Sequence, residues 1–173
     1  MKDFMELAKA RYSVRQFSER EVEREKIQQI IEAGLAAPTA ANRQPYHIWL
    51  VTGDEARAKL ARVNRMPFVQ AAKVNFIIGA DPKPAWVRPS DGRNFADVDA
   101  SIVATQMILA IHDLGLGSTW VGFFDEPAMK AEFPEMADYD LIAILPVGDP
   151  AEDAEPRESH FVRRARAEAV TEL

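Results

Sequence analysis

The sequence has 173 residues and no cysteine; 47% of it is hydrophobic, 28% is charged, and the formal net charge is -6. This length predicts a single domain, residues 1–173, with a sizeable core, and the lack of thiols excludes disulfides, thiolate nucleophiles and cysteine-ligated metals. The acidic balance argues against nucleic acid as a partner. No apolar run is long enough to span a membrane, and the start (Met1, Lys2, Asp3, Phe4, Met5, Glu6) lacks the apolar stretch of a secretory signal, so a cytoplasmic location is expected.

In chain order, Phe4, Leu7 and Ala8 lie at helical spacing, which predicts a short helix from Asp3 to Ala10. Residues Arg11 to Phe17 break that pattern. Ser18 and Glu21 have the spacing of a capping box, ahead of a helix marked by Ile27, Ile30, Ile31 and Leu35 that ends before Pro38. Pro38 to Pro45 reads as a loop and Tyr46 to Val51 as a strand. A helix over Asp54 to Val63 follows, with Thr52 and Glu55 at capping-box spacing. After a break at Pro67, Val74 to Gly79 reads as a strand and Ala80 to Asn94 as a long proline-rich loop.

Ala96 to Leu114 is apolar on nearly every face, which predicts a fully buried helix closed by Gly115, with more apolar surface than one small layered domain easily covers and hence an extensive subunit interface. A short strand at Thr119 to Val121, a short helix around Pro127 to Glu132 and a strand at Leu141 to Val147 are expected next. The segment Gly148 to Ser159 is acidic, proline-rich and without a core of its own; the chain end turns basic. Neither GxGxxG nor GxxxxGK[ST] is present, and the pattern does not repeat βαβ units, so an α+β layer structure is the better reading. His47, His112 and His160 have no metal-ligand spacing, and no metal is expected.

Arginines gather near both chain ends: Arg11, Arg15, Arg20 and Arg24, then Arg157, Arg163, Arg164 and Arg166. In an acidic chain this pattern fits solvated ion pairs on the surface, or an anion held by both ends. Four segments point to the second reading. Arg11-Tyr12-Ser13-Val14-Arg15 resembles the opening RRSxR-type motif of the nitroreductase family. Pro38-Thr39-Ala40-Ala41-Asn42-Arg43-Gln44-Pro45-Tyr46 is similar to its PSxxNxQPW motif. Asp99 through Leu114-Gly115-Leu116-Gly117-Ser118 to Trp120-Val121-Gly122 resembles its central helix and following glycine turn. Leu145 to Pro150, with Arg163-Arg164, is similar to its last strand and terminal basic pair. Each motif is weak alone, but together they cover nearly the whole chain in order.

The resemblance implies a three-layer α/β/α sandwich with a mixed, mainly antiparallel sheet and a buried central helix. It also implies FMN as cofactor, NADH or NADPH as electron donor, a small flat acceptor such as a nitroaromatic or quinone, ping-pong hydride transfer, and a homodimer with FMN at the interface. The residues suit these roles. Arg11 and Arg15 can grip a phosphate bidentately, with Ser13 adding a hydroxyl and Tyr12 contributing backbone; one of Arg163 and Arg164 completes that site.

Pro38, Thr39, Asn42 and Gln44 are expected near the flavin, in part from the neighbouring subunit, with Asn42 and Gln44 offering amides to its pyrimidine edge. Asn64 falls where the family places another amide, although it also suits a plain helix cap. Thr119, Trp120, Val121 and Gly122 are expected beside the reactive centre, with the backbone N–H of Val121 or Gly122 donating to flavin N5. No catalytic side chain is required, because the cofactor carries the chemistry. There are departures from the family pattern: Tyr12 replaces a basic residue, Ala40 and Ala41 replace serines, and Ala80 to Asn94 is short where many members carry a helical roof. The same resemblance leaves room for a specialised member, such as a reductive dehalogenase or a flavin-destroying enzyme, or for a non-catalytic FMN-binding regulator.

Overall fold

The strand Val74–Ala80 (β2) is buried at all seven positions. Only a strand in the middle of a sheet, covered on both faces, can bury both sets of alternating side chains. In the computed structural model, which describes residues 3–173, β2 pairs on one side with Tyr46–Val51 (β1) and on the other with Asp140–Gly148 (β4). The two-residue strand Gly117–Ser118 (β3) completes the order β1-β2-β4-β3. All these pairings are antiparallel, and a parallel element enters through the isolated bridge between Ser13 and Ser118.

The two faces of β2 carry separate cores. Phe76 and Ile78, with Leu145 and Val147 of β4, face the long helix Ala96–Asp113 (α5) and the helix Arg24–Leu35 (α2). Ile77 and Ile144 face the other way, onto Asp54–Val63 (α3), Pro67–Ala71 (α4) and Glu126–Glu132 (α6). The result is the expected α/β/α layering. Among the described residues no helix is long and apolar enough to cross a membrane. Met1 and Lys2, which entered the reading of the chain start, lie outside the described residues.

Three expectations need correction. The helix Phe4–Ala10 (α1) is capped by Asp3, but neither predicted capping box forms. Ser18 donates its N–H to Asp149 O at 2.8 Å, so its backbone is committed to strand-like pairing, and α2 starts only after Glu23. Thr52 is displaced as a cap by Gly53, which precedes α3. The strand expected at Thr119 to Val121 lies two residues earlier, at Gly117–Ser118, and Val121 makes a separate bridge to Ile144.

The third correction concerns α5. Ala100, Val103, Ala104, Met107, Ile108 and Ile111 are buried as expected, but Ile102 remains 37% exposed. One sheet and α2 cover only part of its circumference. An apolar cavity of about 660 Å³ is left open between α5 and Phe4 of α1.

The edge at β3 depends on close approach. A Cβ built on Gly117 would lie 2.7 Å from three side-chain atoms of Val14, and one on Gly148 would lie 3.1 Å from the Phe17 ring. Two glycines therefore let residues 13–18 lie flat against the sheet. Gly117→Ala is expected to destabilise the protein by about 2 kcal/mol in urea denaturation, the usual cost of overpacking. An unchanged urea midpoint in this variant would show that this contact does not hold the edge.

Candidate functional site

The site is built by pairing the two ends of the chain. Val14 N–H donates to Ser118 O at 3.0 Å, which lays the Arg11–Ser18 segment along β3. On its other side, Ala151 N–H donates to Gln16 O at 3.0 Å, and Phe17 and Pro150 form an antiparallel bridge. The Tyr12 hydroxyl donates to Ala154 O at 2.8 Å. The proline-rich tail, which has no core of its own, is thus ordered by the N-terminal segment. This brings Arg157, Ser159, His160 and Arg163 opposite Arg11, Tyr12, Ser13 and Arg15 around a cavity of about 510 Å³.

Among the described residues, four guanidinium groups line this cavity and no carboxylate does. Burial, and then the neighbouring Arg163, hold Arg11 below its ordinary value; burial, and then Arg157, do the same for Arg15. Partly desolvated like charges with only carbonyl acceptors favour the arrival of an anion. Those acceptors include Ser13 O, 3.2 Å from Arg15 Nη1, and Val162 O and His160 O, which accept from Arg163 Nη1. Arg163 and Arg164 part company here. Arg163 lines the cavity, whereas Arg164 turns to Glu168, its Nη2 donating to Glu168 O at 2.6 Å. Arg157, Ser159 and His160 were not singled out from the sequence. Arg157 stood in the arginine pattern, but its acidic, proline-rich surroundings hid its role.

Arg15 also lies close to α4. Its Cζ lies 6.0 Å from the centroid of the Phe68 ring on α4. Beside α4, a cleft of about 680 Å³ is lined by Asn64, Met66, Pro67, Phe123 and their neighbours. Asn64 is indeed the C-cap of α3, and its side chain is engaged locally: Oδ1 accepts from Met66 N at 3.0 Å and Nδ2 donates to Phe123 O at 3.4 Å. Thr119 is buried, while Trp120 is 38% exposed and Phe123 81% exposed. The backbone distinguishes the two candidate donors. Val121 N–H donates to Ile144 O at 3.0 Å, whereas Gly122 N–H has no acceptor among the described residues.

The Pro38–Gln44 loop contributes no residue to the arginine cavity or to the cleft beside α4. It contains the 3-10 turn Ala40–Asn42 and is stitched by Thr39 Oγ1, which accepts from Gln44 N at 3.1 Å. The Ala80–Asn94 loop folds on itself, with Val87 bridged to Asn94 and Arg88 paired to Asp91.

The model of the nitroreductase family matches residues 8–66 and 62–149. The chain belongs to the nitroreductase family. A relative from Methanothermobacter thermautotrophicus, provisionally named NADH dehydrogenase/NAD(P)H nitroreductase, is 29% identical over 161 residues, covering 90% of this chain and 82% of that one. An NADPH-flavin oxidoreductase from Vibrio harveyi is 30% identical over 140 residues, covering 76% of this chain and 58% of its own. The crystal structure of a nitroreductase family protein from Clostridium difficile superposes with a TM-score of 0.89 at 33% identity, covering 98% of each chain.

In this nitroreductase-family chain, the cavity makes a prediction that separates binding from folding. Arg157→Gln is expected to weaken inorganic phosphate binding about tenfold, as loss of one charge-assisted hydrogen bond implies. Because it also removes a like charge, it should leave the unliganded melting temperature no lower. Calorimetric titration and scanning calorimetry, with Arg164→Gln as the neutral control, check both halves.

Proposed function

We propose that this chain is an FMN-dependent NAD(P)H oxidoreductase that reduces flat acceptors such as nitroaromatics or quinones, and that it works as a cytoplasmic homodimer. The observation that carries the reading is the cavity of Arg11, Arg15, Arg157 and Arg163, lined by no carboxylate among the described residues, with a separate cleft beside α4, the helix whose Phe68 ring lies 6.0 Å from Arg15 Cζ. A single phosphate on a flat, largely apolar ring system fits that pair of sites. The flavin in the name of the Vibrio harveyi relative and the nicotinamide in those of both relatives support the same reading. When bound, FMN supplies two-electron redox chemistry between a nicotinamide donor and the acceptor.

The protein's own residues anchor, orient and shield. The arginines and Ser13 hold the phosphate. Asn42 and Gln44, reaching across from a partner subunit, orient the pyrimidine edge; Pro38 and Thr39 shape their loop. Asn64 holds the α3–α4 turn against Phe123, while Thr119 is buried and Trp120 offers a half-exposed ring that would shield bound flavin from water. The open Gly122 N–H would be the backbone donor to bound FMN, since the Val121 N–H is already committed to Ile144. The exposed apolar face of α5 is the surface through which the dimer forms, and it makes one site from two chains.

The test removes one N–H. Gly122→Pro deletes that donor at a position where the preceding residue, Val121, is already extended, so the backbone should tolerate it. Anaerobic stopped-flow reduction by NADH or NADPH is expected to slow about a hundredfold, the scale of losing one backbone donor at a developing charge, with FMN content retained. Reduction at the wild-type rate would rule out this role for Gly122. A purified protein that takes up no FMN would overturn the whole reading.

A further inference from the structure

Asp99 lies near the start of α5 and is 1% exposed. Its Oδ1 accepts the N–H of Ala40 at 2.9 Å, and its Oδ2 is enclosed without a hydrogen-bond partner. A carboxyl group buried against a single amide is expensive, and its neighbours on the same helix face, Ala96, Ala100 and Val103, are apolar. Core formation does not ask for it.

What Asp99 does hold is the stretch that contains every non-glycine residue of positive φ among the described residues. Ala41, Asn42 and Gln44 have φ of 51°, 53° and 51°, the left-handed region that side chains disfavour. Residues 41–44 are all exposed, so no core contact enforces these angles. Such strain persists only where surrounding bonds over-determine it. Asn42 N–H donates to Thr39 O, Arg43 N–H to Ala40 O, and Gln44 N–H to Thr39 Oγ1, all within the loop. Gln44 O accepts the N–H of Tyr46, two residues on at the start of β1, so among the described residues the bond from Ala40 to Asp99 is the one that ties residues 39–44 to an element distant in the chain.

We propose that Asp99 is a positioning residue: its carboxyl group clamps Ala40 to α5 and so keeps the left-handed turn that presents the Asn42 and Gln44 amides. The purpose assigned to the turn, orienting the flavin, rests on the proposed function. The clamp itself does not.

Amide hydrogen exchange on the flavin-free protein and FMN titration of the same samples test it together. Asp99→Ala should speed exchange at Asn42 and Gln44 about tenfold and weaken FMN binding by a similar factor. Asp99→Asn keeps an acceptor oxygen and should lose far less. Ala41→Gly, which takes up a positive φ freely, should restore several-fold of the lost affinity when added to Asp99→Ala, on the order of the glycine advantage at such angles. A residue needed only for bulk stability would show no such rescue. Asp99→Ser, too short to reach Ala40, replaces the alanine variant if that fails to fold. Unchanged Gln44 exchange in Asp99→Ala, or a double variant no better than the single, overturns the clamp. Wild-type protein that binds no FMN sinks the flavin reading instead, while the exchange data still decide the clamp.

Discussion

Four like charges in one partly buried cavity form the constraint around which the rest of the structure is arranged. Arg11, Arg15, Arg157 and Arg163 are brought together by backbone pairing that has no interest in charge: the Val14 and Ser118 bond on one side, the Gln16 and Ala151 bond on the other. Burial and mutual repulsion both disfavour the charged forms of Arg11 and Arg15. Sheet edge, glycines and tail therefore work against an electrostatic penalty that an arriving anion removes. On the proposed function, cofactor binding and consolidation of the chain ends would be the same event.

The glycines explain why such an arrangement can be reached at all. Val14 occupies the space a side chain at residue 117 would need, and Phe17 lies similarly close to residue 148. The segment between them is extended and bonded on both edges, so the arginines at 11 and 15 emerge at fixed positions. Tyr12 uses its hydroxyl on Ala154 and pins the tail at the distance that brings Arg157 and Arg163 over the cavity. A basic residue in place of Tyr12 would add a fifth charge but lose this tether. The departure from the family pattern at Tyr12 is therefore consistent with a tail that is ordered from the N-terminal side.

How much of this could be seen in the sequence depends on the range of the interaction. Period and punctuation located β2, α5 and the loop after Pro38, because burial on two faces and proline restrictions act within a few residues. The capping boxes at Ser18 and Thr52 misled for the opposite reason: a local spacing was overridden when Ser18 gave its N–H to Asp149, 131 positions along the chain. Arg157 was invisible as a site residue because its partners lie at the other end of the chain. The choice between Arg163 and Arg164 turned on Glu168, which takes Arg164 away from the cavity, and no spacing rule anticipates that. Which of Val121 and Gly122 keeps an open N–H depends on Ile144, a partner across the sheet.

The remaining features concern what one chain leaves unfinished. A helix apolar all round was expected to be buried all round, yet Ile102 and the face beside Phe4 stay open. The Pro38–Gln44 loop, with two amides expected at a flavin, contributes nothing to the arginine cavity of its own chain. These two facts have one resolution in the proposed dimer. Asp99 stands on the same helix as that open face and reaches the loop through Ala40. Covering α5 with a second copy would therefore fix, by one rigid element, both the subunit contact and the loop that serves the neighbouring site. On this argument the buried carboxyl group is retained for geometry: it ties the interface helix to the amides, so that assembly and cofactor orientation are set by the same piece of backbone.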